Sequence, residues 1–415
     1  MKTHQIAEYD PGLEDAYIAN GLVGLRIPQI PLPGGTALLN GYVGKSPEKG
    51  VEEYGEAPYP VGLDIQLDKA WLSKHRHRVQ FKSQECDFSC GEIRSQFEFA
   101  AGDTIASVEV LTFCSRTEPT LTLQEVAVRI NRECELLLRA QIDQRDLMGN
   151  LLDRCMPGIP GEERADRPAD AVLHWESRGG LTRLGASYVT EFEGDDLREK
   201  TRNEYGHEEE GEFTSYIIDA RPGKRYALRQ YGSLVPSTLH EEPHWQASRQ
   251  VRMGLWYGFE KLRALNASAW KNLWRARPVI SGGDDRWQEI VDAAFFYTHS
   301  SVHSSSPQGI APFALSRRQH LQSPAECYHN VNNDAYTNMM CCLVLEEATG
   351  FADQLGYSAP DNWKRIRENL LLLVDPENHV LELFEGALQG DEISFGRRQW
   401  DSSSRMVSCR RTSIL

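Results

Sequence analysis

The sequence predicts a chain of two textures, an antiparallel β-sandwich followed by helices. Three observations carry this reading. Between residues 21 and 234, short β-branched runs alternate with turn residues, as at 108–113, 121–130, 215–218 and 226–231. Many such strands at near-regular spacing suit a large sandwich. Beyond Pro243 the apolar residues instead recur three or four apart, the period of a helix. A length of 415 residues, at about 150 per domain, leaves room for two or three domains.

The elements follow in order. Residues 1–243 form the sandwich. Within it, His75-Arg76-His77-Arg78 reads as an exposed strand edge rather than a metal site. The acidic stretch 191–212, with Glu208-Glu209-Glu210, reads as a solvated loop. Residues 244–278 make a helical linker, because Val251, Leu255, Phe259, Leu262, Leu265, Trp270 and Leu273 keep a helical stripe that Pro278 ends. Residues 279–396 are helical again. One helix spans 284–301, with Trp287, Ile290, Val291, Ala294 and Phe295 on one face. A second spans 334–349 and stops at Gly350, and a third spans 361–374 before the turn Asp375-Pro376-Glu377-Asn378-His379. Residues 397–415, with five arginines, five serines and one acidic residue, have no apolar period and read as an irregular tail.

Composition excludes several functions. A net charge of −15 argues against nucleic acid or an anionic membrane as partner. No run of eighteen apolar residues occurs, so no membrane-spanning helix is expected. The first residues lack the apolar stretch of a secretory signal, which points to the cytoplasm. Nine cysteines without a Cys-x-x-Cys spacing suit free thiols, not disulfides or zinc. No phosphate loop, dinucleotide fingerprint or Gly-x-Ser-x-Gly elbow is present, so neither cofactor nor metal is expected. A single sequon, Asn266-Ala267-Ser268, assigns no compartment.

Chemistry concentrates in one segment, Ser323-Pro324-Ala325-Glu326-Cys327-Tyr328-His329-Asn330-Val331-Asn332-Asn333-Asp334-Ala335-Tyr336-Thr337-Asn338. Asn332 or Asn333 can cap the helix that follows. Capping accounts for one asparagine, whereas a row of amides and a carboxylate offers the paired donors and acceptors that sugars need.

The same segment resembles the general-acid motif of glycoside hydrolase family 65, Asp-Glu-(Tyr/Phe)-His followed by Val-(Asp/Asn)-Asn-(Asn/Ser)-x-Tyr-Thr-Asn. Asn20-Gly21-Leu22-Val23-Gly24-Leu25-Arg26 is similar to the family's N-terminal Asn-Gly-x-x-Gly-x-Arg. Ala269-Trp270-Lys271-Asn272-Leu273-Trp274 resembles its linker helix, and Gly309-Ile310-Ala311-Pro312-Phe313-Ala314-Leu315-Ser316 the approach to its substrate site. The resemblance covers residues 10–390 with one break. It implies an N-terminal β-sandwich, a helical linker and an (α/α)6 barrel. It also implies Glu326 as the general acid, with His329, Asn332, Asn333 and Asn338 binding substrate. Three departures stand out: Ala325 replaces an acidic residue, Cys327 an aromatic one, and Tyr328-His329 comes one place late.

A twelve-helix barrel needs roughly 180–220 residues, at about 11–12 per helix and about 4–6 per connection. The stretch from Gly282 to Gly386 holds about half of that, so an incomplete barrel is expected. The shortfall falls between Ser316 and Glu326, where the family carries helices and a Trp-Asp-Thr-(Asp/Glu) motif; the lone Trp400-Asp401 lies in the tail. Near the end, Leu381-Glu382-Leu383-Phe384-Glu385-Gly386 resembles the approach to the family's Lys-Gln-Ala-Asp motif, which is replaced here by Ser394-Phe395-Gly396-Arg397-Arg398. The hydrolytic base would fall beyond Leu415. A lost internal block and a shifted C-terminus are the expected cause, and exposed helix faces would favour a partner or aggregation.

The expected activity is inverting hydrolysis of α-linked glucosyl disaccharides or glucosyl-galactosyl groups, on an oligosaccharide or a glycosylated protein. The shortfall leaves the catalytic competence of such a chain open. Two alternatives are an inverting disaccharide phosphorylase and a non-catalytic carbohydrate-binding sandwich. Oligomeric state is left open.

Overall fold

The computed structural model describes residues 3–31, 34–45, 52–145, 147–155, 169–194, 202–208, 211–280 and 285–305, and parts of 342–369. The chain divides into two units, Met1–Gln319 and His320–Leu415.

In the first unit, the described residues form three antiparallel sheets. The largest runs β1 (Thr3–Ile6), β8 (Val79–Asp87), β9 (Glu92–Ala101), β10 (Thr104–Cys114), β11 (Leu121–Ile130), β18 (Tyr226–Pro236), β15 (Arg183–Gly194), β14 (Ala171–Ser177) and β13 (Gly149–Cys155). The second runs β16 (Arg202–Glu208), β17 (Gly211–Ala220), β12 (Cys134–Asp143), β6 (Tyr59–Leu67) and β7 (Ala70–Trp71). A third holds β2 (Ala16–Ala19), β3 (Val23–Ile27), β4 (Thr36–Lys45) and β5 (Glu52–Ala57). All four predicted runs lie inside strands, namely β10, β11, β17 and β18. Tyr59, Phe97, Phe99, Phe113, Tyr188 and Tyr231 are among the largest side chains sealed in the core.

The two larger sheets are also stitched by polar bonds. Gln230 on β18 donates from Nε2 to the carbonyls of Pro60 and Gln141, each at 3.1 Å. Gln124 on β11 donates to Val61 O at 2.9 Å. Buried amides are kept because each finds a backbone acceptor across the sandwich.

Two expectations for the sandwich are corrected. Residues 76–78 form a 3₁₀ turn before β8, not a strand edge. The acidic stretch is not one loop, since β15, β16 and β17 take up most of its length. Glu212 is fully buried there and pairs with Arg154 at 3.4 Å, because a carboxylate out of water needs a cation.

The predicted linker helix is two helices, α1 (Pro243–Tyr257) and α2 (Phe259–Leu273). Gly258 between them has φ +83°, which few other residues adopt, so the stripe continues in sequence while the backbone breaks. Helix α2 lies along the sandwich on Phe259, Leu262, Asn266 and Trp270, all buried. Arg263 clasps the Glu92 carboxylate with both donors, at 2.7 and 2.8 Å.

Helix α3 (Asp285–Ser300) agrees with the predicted span, but not with the predicted face. Of that face Phe295 is buried, but Trp287 and Ile290 are exposed, and Asp292 and Phe296 are buried instead. The Asp292 carboxylate takes two bonds from Arg277, at 2.5 and 2.8 Å, and one from Gln288. That satisfied ion pair is what admits a charge to the inner face.

In the second unit, the described helical residues lie between 342 and 352 and in α4 (Asp361–Asn369). Arg367 pairs with Glu346 at 3.8 Å. The rest of the predicted helices 334–349 and 361–374, and the tail 397–415, lie outside the described residues.

Candidate functional site

Glu326, His329, Asn332, Asn333 and Asn338 all lie outside the described residues, as does the approach 309–316. What the structure does describe is how the end of α3 is attached to the sandwich. The described part of the first unit ends at residue 305, just past α3.

Asn20 begins the arrangement. It is fully buried and donates from Nδ2 to Ser115 O at 2.6 Å and Pro119 O at 2.9 Å. Its Oδ1 accepts from the amides of Leu22 and Val23. One carboxamide thus shapes its own turn and the 115–119 turn of the large sheet. Gly21, beside it, has φ +92°. A Cβ there would stand 2.4 Å from the carbonyl carbon of Val302 and 2.5 Å from His303 N, so only glycine lets the two chains touch.

Arg116 sits on the turn that Asn20 holds. Its Nη1 donates to His299 O at 2.6 Å and its Nη2 to Val302 O at 3.1 Å. The guanidinium lies 4.9 Å over the Trp270 ring. Burial lowers its pKa to about 10. A carbonyl at the C-terminal end of a helix lacks an intrahelical donor, and this cation donates to one such carbonyl, that of His299, and to that of Val302 just beyond the helix. The amide of Arg116 donates to Asn266 Oδ1 at 3.0 Å, and Asn266 Nδ2 donates to Cys90 O at 2.8 Å. The sequon asparagine is therefore fully buried and bonded on both sides, closed to a glycan in the folded chain.

His303 completes the contact. Its Nδ1 accepts from Ser305 N at 3.1 Å, which fixes the neutral Nε2–H tautomer, and Nε2 donates to Arg116 O at 3.1 Å. Trp274, on the same side, donates from Nε1 to Phe88 O at 2.8 Å and packs on Phe295. Arg116 and His303 carry no sequence signal, because their partners are nearly two hundred residues away. Asn20 and Gly21 did have one, in the Asn-Gly-x-x-Gly pattern.

A cleft of about 470 Å³ opens between β9 and α2, lined by Glu85, Asp87, Glu92 and Glu260 with Arg94 and Arg263. Both arginines bond carboxylates, Arg94 to Glu109 and Arg263 to Glu92. Among the described residues, no cluster of histidine, cysteine or carboxylate could hold a metal ion, and six cysteines are free. No helix of the described residues is long and apolar enough to cross a membrane.

His174 and His244 stack with centroids 4.2 Å apart, joining β14 to the start of α1. Burial lowers both pKa values; His244 and Arg183 add to this at His174, whereas Asp153 and Glu176 oppose it. At His244, Asp153 and Glu242 oppose it. Burial lowers His303 too; its hydrogen bond to the Arg116 carbonyl opposes this, and the Arg116 charge adds to it. Folded imidazoles that hold protons less tightly than unfolded ones stabilise the fold above about pH 6.5, and that stability is lost as pH falls through the folded values. The melting temperature is therefore expected to drop between about pH 7 and about pH 5, and less steeply in a His174→Gln/His244→Gln variant. Equal slopes in thermal melts of the two proteins would count against the stacked pair as a source.

Residues 17–273 match the model of the glycosyl hydrolase family 65 N-terminal domain. Among solved structures, a human-microbiome protein assigned as a kojibiose phosphorylase superposes with a TM-score of 0.58 at 12% identity. The match covers 94% of this chain and 72% of that chain, a likeness of fold. No curated protein matches the chain by sequence.

Proposed function

The chain belongs to glycosyl hydrolase family 65, and from that premise we propose that it is an α-glucoside hydrolase with Glu326 as general acid. The family's members act on glycosides, so the substrate class is a sugar. The observation that carries the proposal is the stretch resembling the general-acid motif at 323–338, which follows in sequence a sandwich and linker that match the family. In this reading the Glu326 carboxyl gives its proton to the glycosidic oxygen as that bond breaks. The glucosyl carbon is attacked from the opposite face, with inversion. His329, Asn332, Asn333 and Asn338 hold the sugar hydroxyls.

A second reading, an inverting phosphorylase, is favoured by the name of the structural neighbour. Phosphate would then replace water as the nucleophile, and no general base would be needed. A third is a sandwich that binds carbohydrate without turning it over. Incubation with kojibiose, trehalose and maltose, with and without phosphate, separates them. Glucose released without phosphate supports the hydrolase, and a sugar phosphate supports the phosphorylase. Sugar binding without turnover supports the third reading and overturns the first.

A further inference from the structure

Helix α1 begins without a side-chain cap: Glu242 makes no capping hydrogen bond, and the first turn carries no acidic residue. Its start is held instead by packing on the sandwich. The backbone of Pro243 and His244 lies directly on Gly185 of β15, where a Cβ would stand 2.1 Å from the Pro243 carbonyl carbon. Beside that seat the imidazoles of His174 and His244 stack at 4.2 Å, with ring planes 14° apart. We propose that this stack is an acid-sensitive latch, which holds the first turn of α1 on the sandwich at neutral pH and releases it on acidification.

The geometry of the pair suits two neutral rings. His174 Nε2 and His244 Nδ1 are both buried, and neither has a hydrogen-bond partner among the described residues. An imidazolium carries a hydrogen on each nitrogen, so protonation leaves a charged N–H in a buried place with no acceptor. A second proton would set two cations face to face. The surrounding charges are mixed. At His174, Arg183 on β15 disfavours the charged form, whereas Asp153 on β13 and Glu176 on β14 favour it. At His244, Asp153 and Glu242 favour it. None of these carboxylates reaches the two orphan nitrogens. The third histidine near this turn, His240, accepts from the Glu242 amide at 3.1 Å in an exposed bond. Rings that part reach water and can both charge, so acid favours the open turn. The rest of α1 keeps its hold through Ala247, Val251 and Gly254, all buried, and release is confined to the first turn.

Hydrogen exchange on the full-length protein tests the latch, read by mass spectrometry from about pH 7.5 to about pH 5 and corrected for the intrinsic rate. The Gln246 amide bonds the Glu242 carbonyl at 3.1 Å and so reports on the first turn. Peptides over 244–248 should exchange about tenfold faster at the acid end, and those over β10 and β11 should not change. A His174→Phe/His244→Phe variant keeps two stacked rings without titrating nitrogens, and its exchange at 244–248 should be the same at both ends of the range. The milder His174→Phe alone should show a smaller response than the parent protein. Asp153→Asn removes a carboxylate that favours the charged rings, so the midpoint of release should move to lower pH. His240→Gln should leave the response in place. Exchange at 244–248 that does not depend on pH in the parent overturns the latch. So does an acid response that survives in the phenylalanine variants, disappears in His240→Gln, or spreads equally over β10 and β11.

Discussion

Glu326→Gln is expected to cut turnover of α-glucosyl disaccharides by about 10²–10⁴-fold, the usual contribution of a general acid. Glutamine matches glutamate in shape but has no acidic proton to give, so the departing sugar would leave as an unprotonated alkoxide. Binding should be nearly unchanged, because the amide still offers hydrogen bonds to the same hydroxyls. The loss should therefore appear in kcat rather than KM. A glucosyl fluoride, whose leaving group needs little protonation, should be hydrolysed with a much smaller deficit. Steady-state kinetics on both substrates check this. Undiminished turnover of the disaccharide in the variant would rule out Glu326 as the acid.

Trp270→Ala should be the most damaging single change in the described part of the molecule. Trp270 is fully buried on α2. It stacks on Phe296 with centroids 4.9 Å apart and lies under the Arg116 guanidinium. Its ring also borders Gly91, where a Cβ would stand 2.4 Å from the indole nitrogen. Truncation would leave a cavity beneath a cation that has lost its aromatic bed. A loss of about 3–5 kcal/mol is expected, measured by urea unfolding. Trp256→Ala is the internal control, since Trp256 is 79% exposed and should change stability by less than about 0.5 kcal/mol. If the two variants melt alike, the packing role of Trp270 is wrong.

The sandwich was legible because short β-branched runs bounded by turn residues mark strands, as at 121–130 and 226–236, both buried along almost their whole length. The break between α1 and α2 was hidden, because Leu255, Phe259 and Leu262 keep helical spacing straight through Gly258. Hydrophobicity also misjudged α3. Trp287 and Ile290 look like core yet are exposed, and Asp292 looks like surface yet is buried by Arg277, a partner that apolar periodicity cannot register. Glu212 misled for the same reason, its cation Arg154 lying on another strand. For the candidate site, the reading of Glu326 and its neighbours rests on their motif alone. Arg116 and His303 became visible only once the fold had brought the 115–119 turn to the end of α3.

The place of β18 in the large sheet bears on how the chain is made. This strand lies between β11 and β15 and pairs with both, Leu121 opposite Ser233 on one side and Leu184 opposite Pro236 on the other. During synthesis, β8 to β11 and β13 to β15 emerge first, as two half-sheets that each present an unpaired edge until the ribosome has passed residue 236. Nascent chains stalled before that point expose two sticky strand edges at once. The central strand is thus a late keystone, and the interval before it arrives is when the growing polypeptide most needs a chaperone.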